Sequence, residues 1–195
     1  MVKSLSSFAC AVVLMLAAAP VQAADDLEAR LASCNACHGQ NGQPINAQTP
    51  IIWGQTTAYL TKQIHDFHSE DRNSPVMSPL AQMIKPEEWR KAAAYFTAKP
   101  WPAKAADKAA DKPGATPVAA TGAPPNTALC EKCHQEKFSG GLPAPRLAGQ
   151  SYEYLLAAMN SFADGTRTNS QDMATLMKMM SPADRDTMAK YIAGL

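Results

Sequence analysis

A five-residue pattern, Cys34-Asn35-Ala36-Cys37-His38, returns as Cys130-Glu131-Lys132-Cys133-His134, 96 residues further on. Two thiols one helical turn apart, followed at once by an imidazole, restrict a fold severely. Both sulfurs must reach one rigid partner, and the ring must face that partner's plane. This is the C-x-x-C-H arrangement that fixes a porphyrin through two thioethers and offers its iron a histidine. A zinc site draws on the same residue types, but its paired Cys-x-x-Cys knuckles stand roughly 15–20 residues apart. A thioredoxin-like dithiol belongs in a βαβ pattern, and no strand-rich stretch is visible. Structural disulfides leave the histidine after each pair unexplained.

The pattern sits inside a longer repeat. Gly54-Gln55 is answered by Gly149-Gln150, Tyr59 by Tyr154, Phe67 by Phe162, Met77 by Met173, Pro86 by Pro182 and Tyr95 by Tyr191. The offset is 96 at the cysteines, the methionines and the last helix, and 95 between the loop after the histidine and the methionine. That is a tandem duplication. Each half is short enough that its apolar core alone is marginal, so a covalent porphyrin is expected to form part of it. A formal net charge of +1 argues against nucleic acid as a partner.

Along the chain, residues 1–23 read as a signal peptide: Lys3, an apolar run from Phe8 to Ala19, and the small-residue pattern ending at Ala23. The run is too short to span a membrane, and the fifth cysteine, Cys10, falls within it. Asp25 or Asp26 is expected to cap a helix with Leu27, Leu31 and Cys34 on one face. A second helix carries Tyr59, Leu60, Ile64 and Phe67, and a third starts at Pro86 with Trp89, Ala92, Ala93 and Phe96 inward. Asn73-Ser74-Pro75-Val76-Met77-Ser78-Pro79 reads as an irregular loop because of its prolines. In the second half only Asn126 to Leu129 precede Cys130, so the leading helix is nearly absent there.

His38 and His134 are the expected proximal iron ligands. A methionine follows each after 39 residues, Met77 and Met173. Met83 and Met179 are also 96 apart, so the repeat by itself does not choose between the pairs. Met77 is favoured by its proline-flanked loop, whereas Met83, just before the third helix, suits core packing. His65 and His68 have Asn160 and Ala163 as counterparts and read as solvated helix residues. Histidine–methionine ligation raises a haem's reduction potential and leaves no iron position for substrate.

The order C-x-x-C-H, Gly-Gln, Tyr-Leu, ligand methionine and Tyr-containing last helix resembles class I cytochrome c. Its duplication in one exported chain is similar to cytochrome c4, most closely over Ala148-Gly149-Gln150, Tyr154-Leu155 and Arg167-Thr168-Asn169. The resemblance implies an all-α protein of two tandem class I cytochrome c domains, each wrapped around a covalent haem. Cys34, Cys37, Cys130 and Cys133 would hold two haem c groups, with His38/Met77 and His134/Met173 on the irons. It implies a periplasmic, non-enzymatic electron carrier between a cytochrome bc complex or dehydrogenase and a terminal oxidase or reductase. Membrane association would come only through such partners. The alternatives are a dedicated cytochrome subunit of a periplasmic oxidoreductase, such as a thiosulfate or alcohol dehydrogenase, and a di-haem peroxidase-type enzyme.

The expected division is 24–99 for the first domain, 100–125 for a linker and 126–195 for the second. The linker's Ala, Pro, Lys and Asp composition offers little to bury. An extended spacer between weakly docked domains is therefore expected, with Tyr191 and Ile192 left partly uncovered by the truncated helix. Mass spectrometry of the mature exported protein should show two covalent haems and no free thiol; one haem, or a Cys34–Cys37 disulfide, contradicts the motif reading.

Overall fold

A computed structural model describes residues 22–102 and 122–195, with side chains from Leu27 onward in the first segment. The expected leader up to residue 21 and the middle of the expected linker lie outside this range. Among the described residues there are helices and no strand. The first half contains α1 (Gln22–His38), α2 (Thr57–His68), α3 (Met77–Ala81) and α4 (Trp89–Thr97). The second contains α5 (Thr127–His134), α6 (Tyr152–Asp164), α7 (Gln171–Met179) and α8 (Pro182–Gly194).

The caps repeat with the sequence. Thr56 Oγ1 accepts the Tyr59 N–H and Ser151 Oγ accepts the Tyr154 N–H, each at 3.4 Å, so α2 and α6 begin on equivalent hydroxyls. α8 opens on Pro182, and Ser181 and Asp184 bond reciprocally across its first turn. Within the first half α2 packs on α4, where Ala92 and Ala93 are fully buried and let the backbones approach closely. Leu27 and Leu31 of α1 close that core. α1 starts at Gln22, before Asp25 and Asp26, so neither caps it.

Around the expected ligand loop the structure corrects the sequence reading. Met77 opens the short helix α3, and Pro79 is tolerated because a first-turn N–H needs no helical partner. Met83 does not pack in the core: it is 58 % exposed, and Ile84 next to it takes that place.

In the second half the leading helix is indeed short, eight residues including the motif. Its cover over α8 comes from elsewhere. Phe138, in a 3-10 turn after the motif, has no exposed surface and meets Tyr191 edge-on at 6.3 Å. Ile192 is consequently 1 % exposed. The backbone reaches this position with positive φ at Gln135, Lys137 and Phe138, a conformation that costs roughly 1–3 kcal/mol for such residues. Burial of an aromatic ring offsets it.

The two halves do not behave as weakly docked beads. Arg72 stacks over Phe67 of its own half and donates to the Tyr154 hydroxyl of the other at 3.3 Å. Arg167 stacks over Phe162 and donates to Tyr59 at 3.4 Å, so the contact is reciprocal. Burial alone would push Tyr154 up, yet the two guanidiniums beside it hold it down at about 8. Arg167 and Asn169 also reach Gln63 Oε1, and Asn169 Nδ2 donates to Asp66 Oδ2 at 2.6 Å. Nor does the connecting segment begin free. Trp101 lies under the Arg146 guanidinium at 4.5 Å, and a Cβ on Gly54 would come within 2.7 Å of its backbone nitrogen.

Asp66 is 2 % exposed. Burial alone would raise its pKa, but hydrogen bonds from Lys62, Asn169 and His65 outweigh that and hold the carboxyl below 3.8. A depressed carboxylate contributes stability above its unfolded value that is lost as pH falls through the folded one. Acid titration should therefore weaken the contact between the halves progressively as pH falls from the ordinary aspartate range through the lowered value of Asp66, and Asp66→Asn should lessen that dependence. Small-angle scattering against pH checks it; expansion at the same pH in both proteins would remove Asp66 from the account.

Candidate haem centres

α1 and α5 each end on their motif histidine, with Cys34 and Cys130 one turn back on the same helix and Cys37 and Cys133 directly before the histidine. The inner thiols, Cys34 and Cys130, are part-buried, and the outer ones, Cys37 and Cys133, are exposed. Burial pushes both inner thiols up from their ordinary value, keeping them as S–H groups. Addition of a thiol across a vinyl group is the bond-forming step this arrangement allows.

His38 and His134 are 6 % and 7 % exposed. His38 Nδ1 lies 2.8 Å from the carbonyl oxygen of Pro50, and His134 Nδ1 lies 2.9 Å from that of Pro145. A carbonyl only accepts, so Nδ1 carries the proton and Nε2 keeps its lone pair. Burial lowers both histidine pKa values, against the smaller opposing pull of the proline carbonyl, and so favours the neutral ring. A neutral imidazole oriented by its second nitrogen is the form that binds a metal.

The loop after His38 turns on Gly39, whose φ of +91° and lack of a Cβ bring Gln43 O into the space a side chain would fill. A Cβ on Gly42 would come within 3.0 Å of the Trp53 ring, and Trp53 Nε1 donates to Asn35 Oδ1 at 3.0 Å. Asn35, between the two cysteines, is thereby held at 6 % exposure. Neither Asn35 nor Trp53 was singled out by the sequence, because their bond is not repeated in the second half, where Glu131 follows Cys130.

The methionines separate by position. Ser74 Oγ accepts the Met77 N–H at 3.1 Å and Ser170 Oγ accepts the Met173 N–H at 3.4 Å, so each lies in the first turn of a helix, bonded to an equivalent serine. Both are part-buried, whereas Met83 and Met179 are 58 % and 78 % exposed. Met177 and Met180 belong to the second core. His65 and His68 meet the Trp89 edge at 5.1 and 5.2 Å on α2, consistent with helix-surface residues. The donor set therefore fits an iron porphyrin twice over: two thiols, one neutral imidazole and a part-buried thioether in each half.

Two further residues reach these centres, and each does so from the opposite half. Gln55 Nε2 donates to Arg146 O and its Oε1 accepts the Arg146 N–H, both at 2.8 Å. Gln150 Nε2 donates to Ile51 O at 3.0 Å and its Oε1 accepts the Ile51 N–H at 2.9 Å. Arg146 and Ile51 directly follow the prolines that hold the histidines. The Gly-Gln pairs were legible as repeat markers, but their partners lie 91 and 99 residues away and carry no sequence signal of their own.

Residues 119–195 match the cytochrome c family. The thiosulfate dehydrogenase electron acceptor of Stutzerimonas stutzeri (strain A1501) is 35 % identical over 84 % of this chain and 79 % of its own length. Cytochrome c4 of Pseudomonas aeruginosa is 30 % identical over 86 % of each chain. Among solved structures, Acidithiobacillus ferrooxidans cytochrome c4 superposes with a TM-score of 0.72 at 25 % identity, over 84 % of this chain and 99 % of that one. Among the described residues no helix is long and apolar enough to cross a membrane.

Proposed function

The chain belongs to the cytochrome c4 family of di-haem class I cytochromes and transfers electrons through two covalent haem c groups, and from that premise we propose how its residues divide the work. Cys34 and Cys37 hold the first haem and Cys130 and Cys133 the second. His38 with Met77, and His134 with Met173, would be the residues that hold the two irons. The observation that carries this reading is the repeated bond from Nδ1 to a proline carbonyl, which leaves an oriented Nε2 in each half. The serine-bonded, part-buried positions of Met77 and Met173 support them over the outward-facing Met83 and Met179.

The haems supply one-electron chemistry; the chain supplies ligands, burial and a fixed separation. With these histidines and methionines as its ligands, each iron would keep no position for substrate, and the protein would do no bond chemistry of its own. Residues 24–99 and 126–195 form the two haem domains, joined by 100–125, and residues 1–23 direct export to the periplasm with cleavage near Ala23. The donor is a membrane cytochrome complex or a periplasmic dehydrogenase and the acceptor a terminal oxidase or reductase. The oxidised protein should show the near-infrared charge-transfer absorption of histidine–methionine iron at both sites. Met77→His should remove about half of it and lower one potential. If Met83→Leu removes it instead, the outward pair is the ligand set.

A second reading, a dedicated acceptor for one dehydrogenase, is favoured by the likeness to the thiosulfate dehydrogenase electron acceptor. Rapid mixing of the oxidised holo-protein with thiosulfate and a thiosulfate dehydrogenase should then reduce both haems within the enzyme's turnover time. Reduction slower than turnover would leave the general carrier.

A further inference from the structure

One peptide group lies between each iron histidine and the opposite half of the molecule. The carbonyl of Pro145 faces His134 Nδ1 at 2.9 Å, and the N–H of the same amide, on Arg146, is bonded to Gln55 Oε1 at 2.8 Å. The carbonyl of Pro50 faces His38 Nδ1 at 2.8 Å, and the N–H of that amide, on Ile51, is bonded to Gln150 Oε1 at 2.9 Å. Each chain of hydrogen bonds thus runs from one half, through a single amide of the other, to that other half's iron ligand. The glutamines are 3 % exposed, so water does not compete. Their orientation is fixed by donation from Nε2 to Arg146 O and Ile51 O, and by acceptance of the Thr56 and Ser151 N–H at Oε1.

We propose that Gln55 and Gln150 are positioning residues that set the reduction potential of the haem in the opposite domain. The inference rests on His38 and His134 being the axial ligands. An amide bonded at its N–H is polarised, and its carbonyl becomes a better acceptor. The stronger acceptor draws the Nδ1 proton and raises the basicity of Nε2, which stabilises the ferric state and lowers the potential. Without the glutamine the carbonyl weakens and the potential rises. The crossing makes the effect diagnostic: Gln55 acts on the His134 haem and Gln150 on the His38 haem, whereas ordinary local packing would act on the haem of the mutated domain.

The test uses the full-length holo-protein with Gln55→Met and Gln150→Met, near-isosteric changes that delete the bonds. Spectroelectrochemistry gives the two potentials and proton NMR the two axial Nδ1–H resonances. Gln55→Met should raise the potential of the His134 haem, shift the His134 Nδ1–H upfield and leave both readings at the His38 haem unchanged. Gln150→Met should do the reverse. Should a variant open the interface, seen as a larger radius of gyration, both glutamines withdraw together, and both potentials and both resonances must move. A potential that moves while its own histidine resonance stays, a change confined to the mutated domain's haem, or no change at all overturns the proposal. Failure of the ligand assignment is visible separately, as wild-type spectra in which His38 or His134 lacks the resonances of an iron-bound ring.

Discussion

The bond from a buried imidazole to a proline carbonyl is the constraint around which each half is arranged. It commits one ring nitrogen so that the other is free, and it does so where burial already favours the neutral ring. The carbonyl must be brought back over the motif helix within a dozen residues. In the first half Gly39 and Gly42 permit the tight return, with Trp53 and Asn35 closing it. In the second half a non-glycine residue follows the histidine, and the same return is made with a less favourable backbone.

That difference explains how two copies of one plan can have unequal leading helices. α1 buries Leu27 and Leu31 against the first core. α5 has no equivalent surface, and the loop that carries Pro145 supplies Phe138 instead. One segment then both orients the imidazole and completes the hydrophobic cover, so a change that relaxes the loop also withdraws the ring from the core. The first half keeps these two tasks on separate elements.

Local chemistry made the motif and the helix faces legible. Leu60 and Phe67, or Ala92 and Phe96, are spaced as a buried helix face must be, and the structure buries them. Proline spacing misled at Met77, because a proline in a first helical turn removes an N–H that no helical bond would have used. Composition misled at the junction. The alanine-rich middle of the linker says nothing about Trp101 at its edge, which is held by Arg146 from the other half. The mutual grip of Gln55 and Gln150 was invisible for a plainer reason: a side chain bonded to backbone leaves no trace in the identity of its partner.

The contact between the halves exchanges like for like. Gln55 grips residue 146 and Gln150 grips residue 51; Arg72 reaches Tyr154 and Arg167 reaches Tyr59. Each pair maps onto the other when the repeats are interchanged, which is the signature of an isologous two-fold interface between identical subunits. The single polypeptide thus encloses a homodimer's contact, with the tether replacing protein concentration as the force that holds it together. Fusion also lifts the requirement that both sides stay identical. Gln63 and Asp66 face Arg167 and Asn169, while the positions equivalent to Gln63 and Asp66 in the second half are Ala158 and Ser161. A symmetric pair of subunits would have to carry such a charged cluster twice or not at all; one chain can carry it once, and so give two originally equal haem sites different electrostatic surroundings.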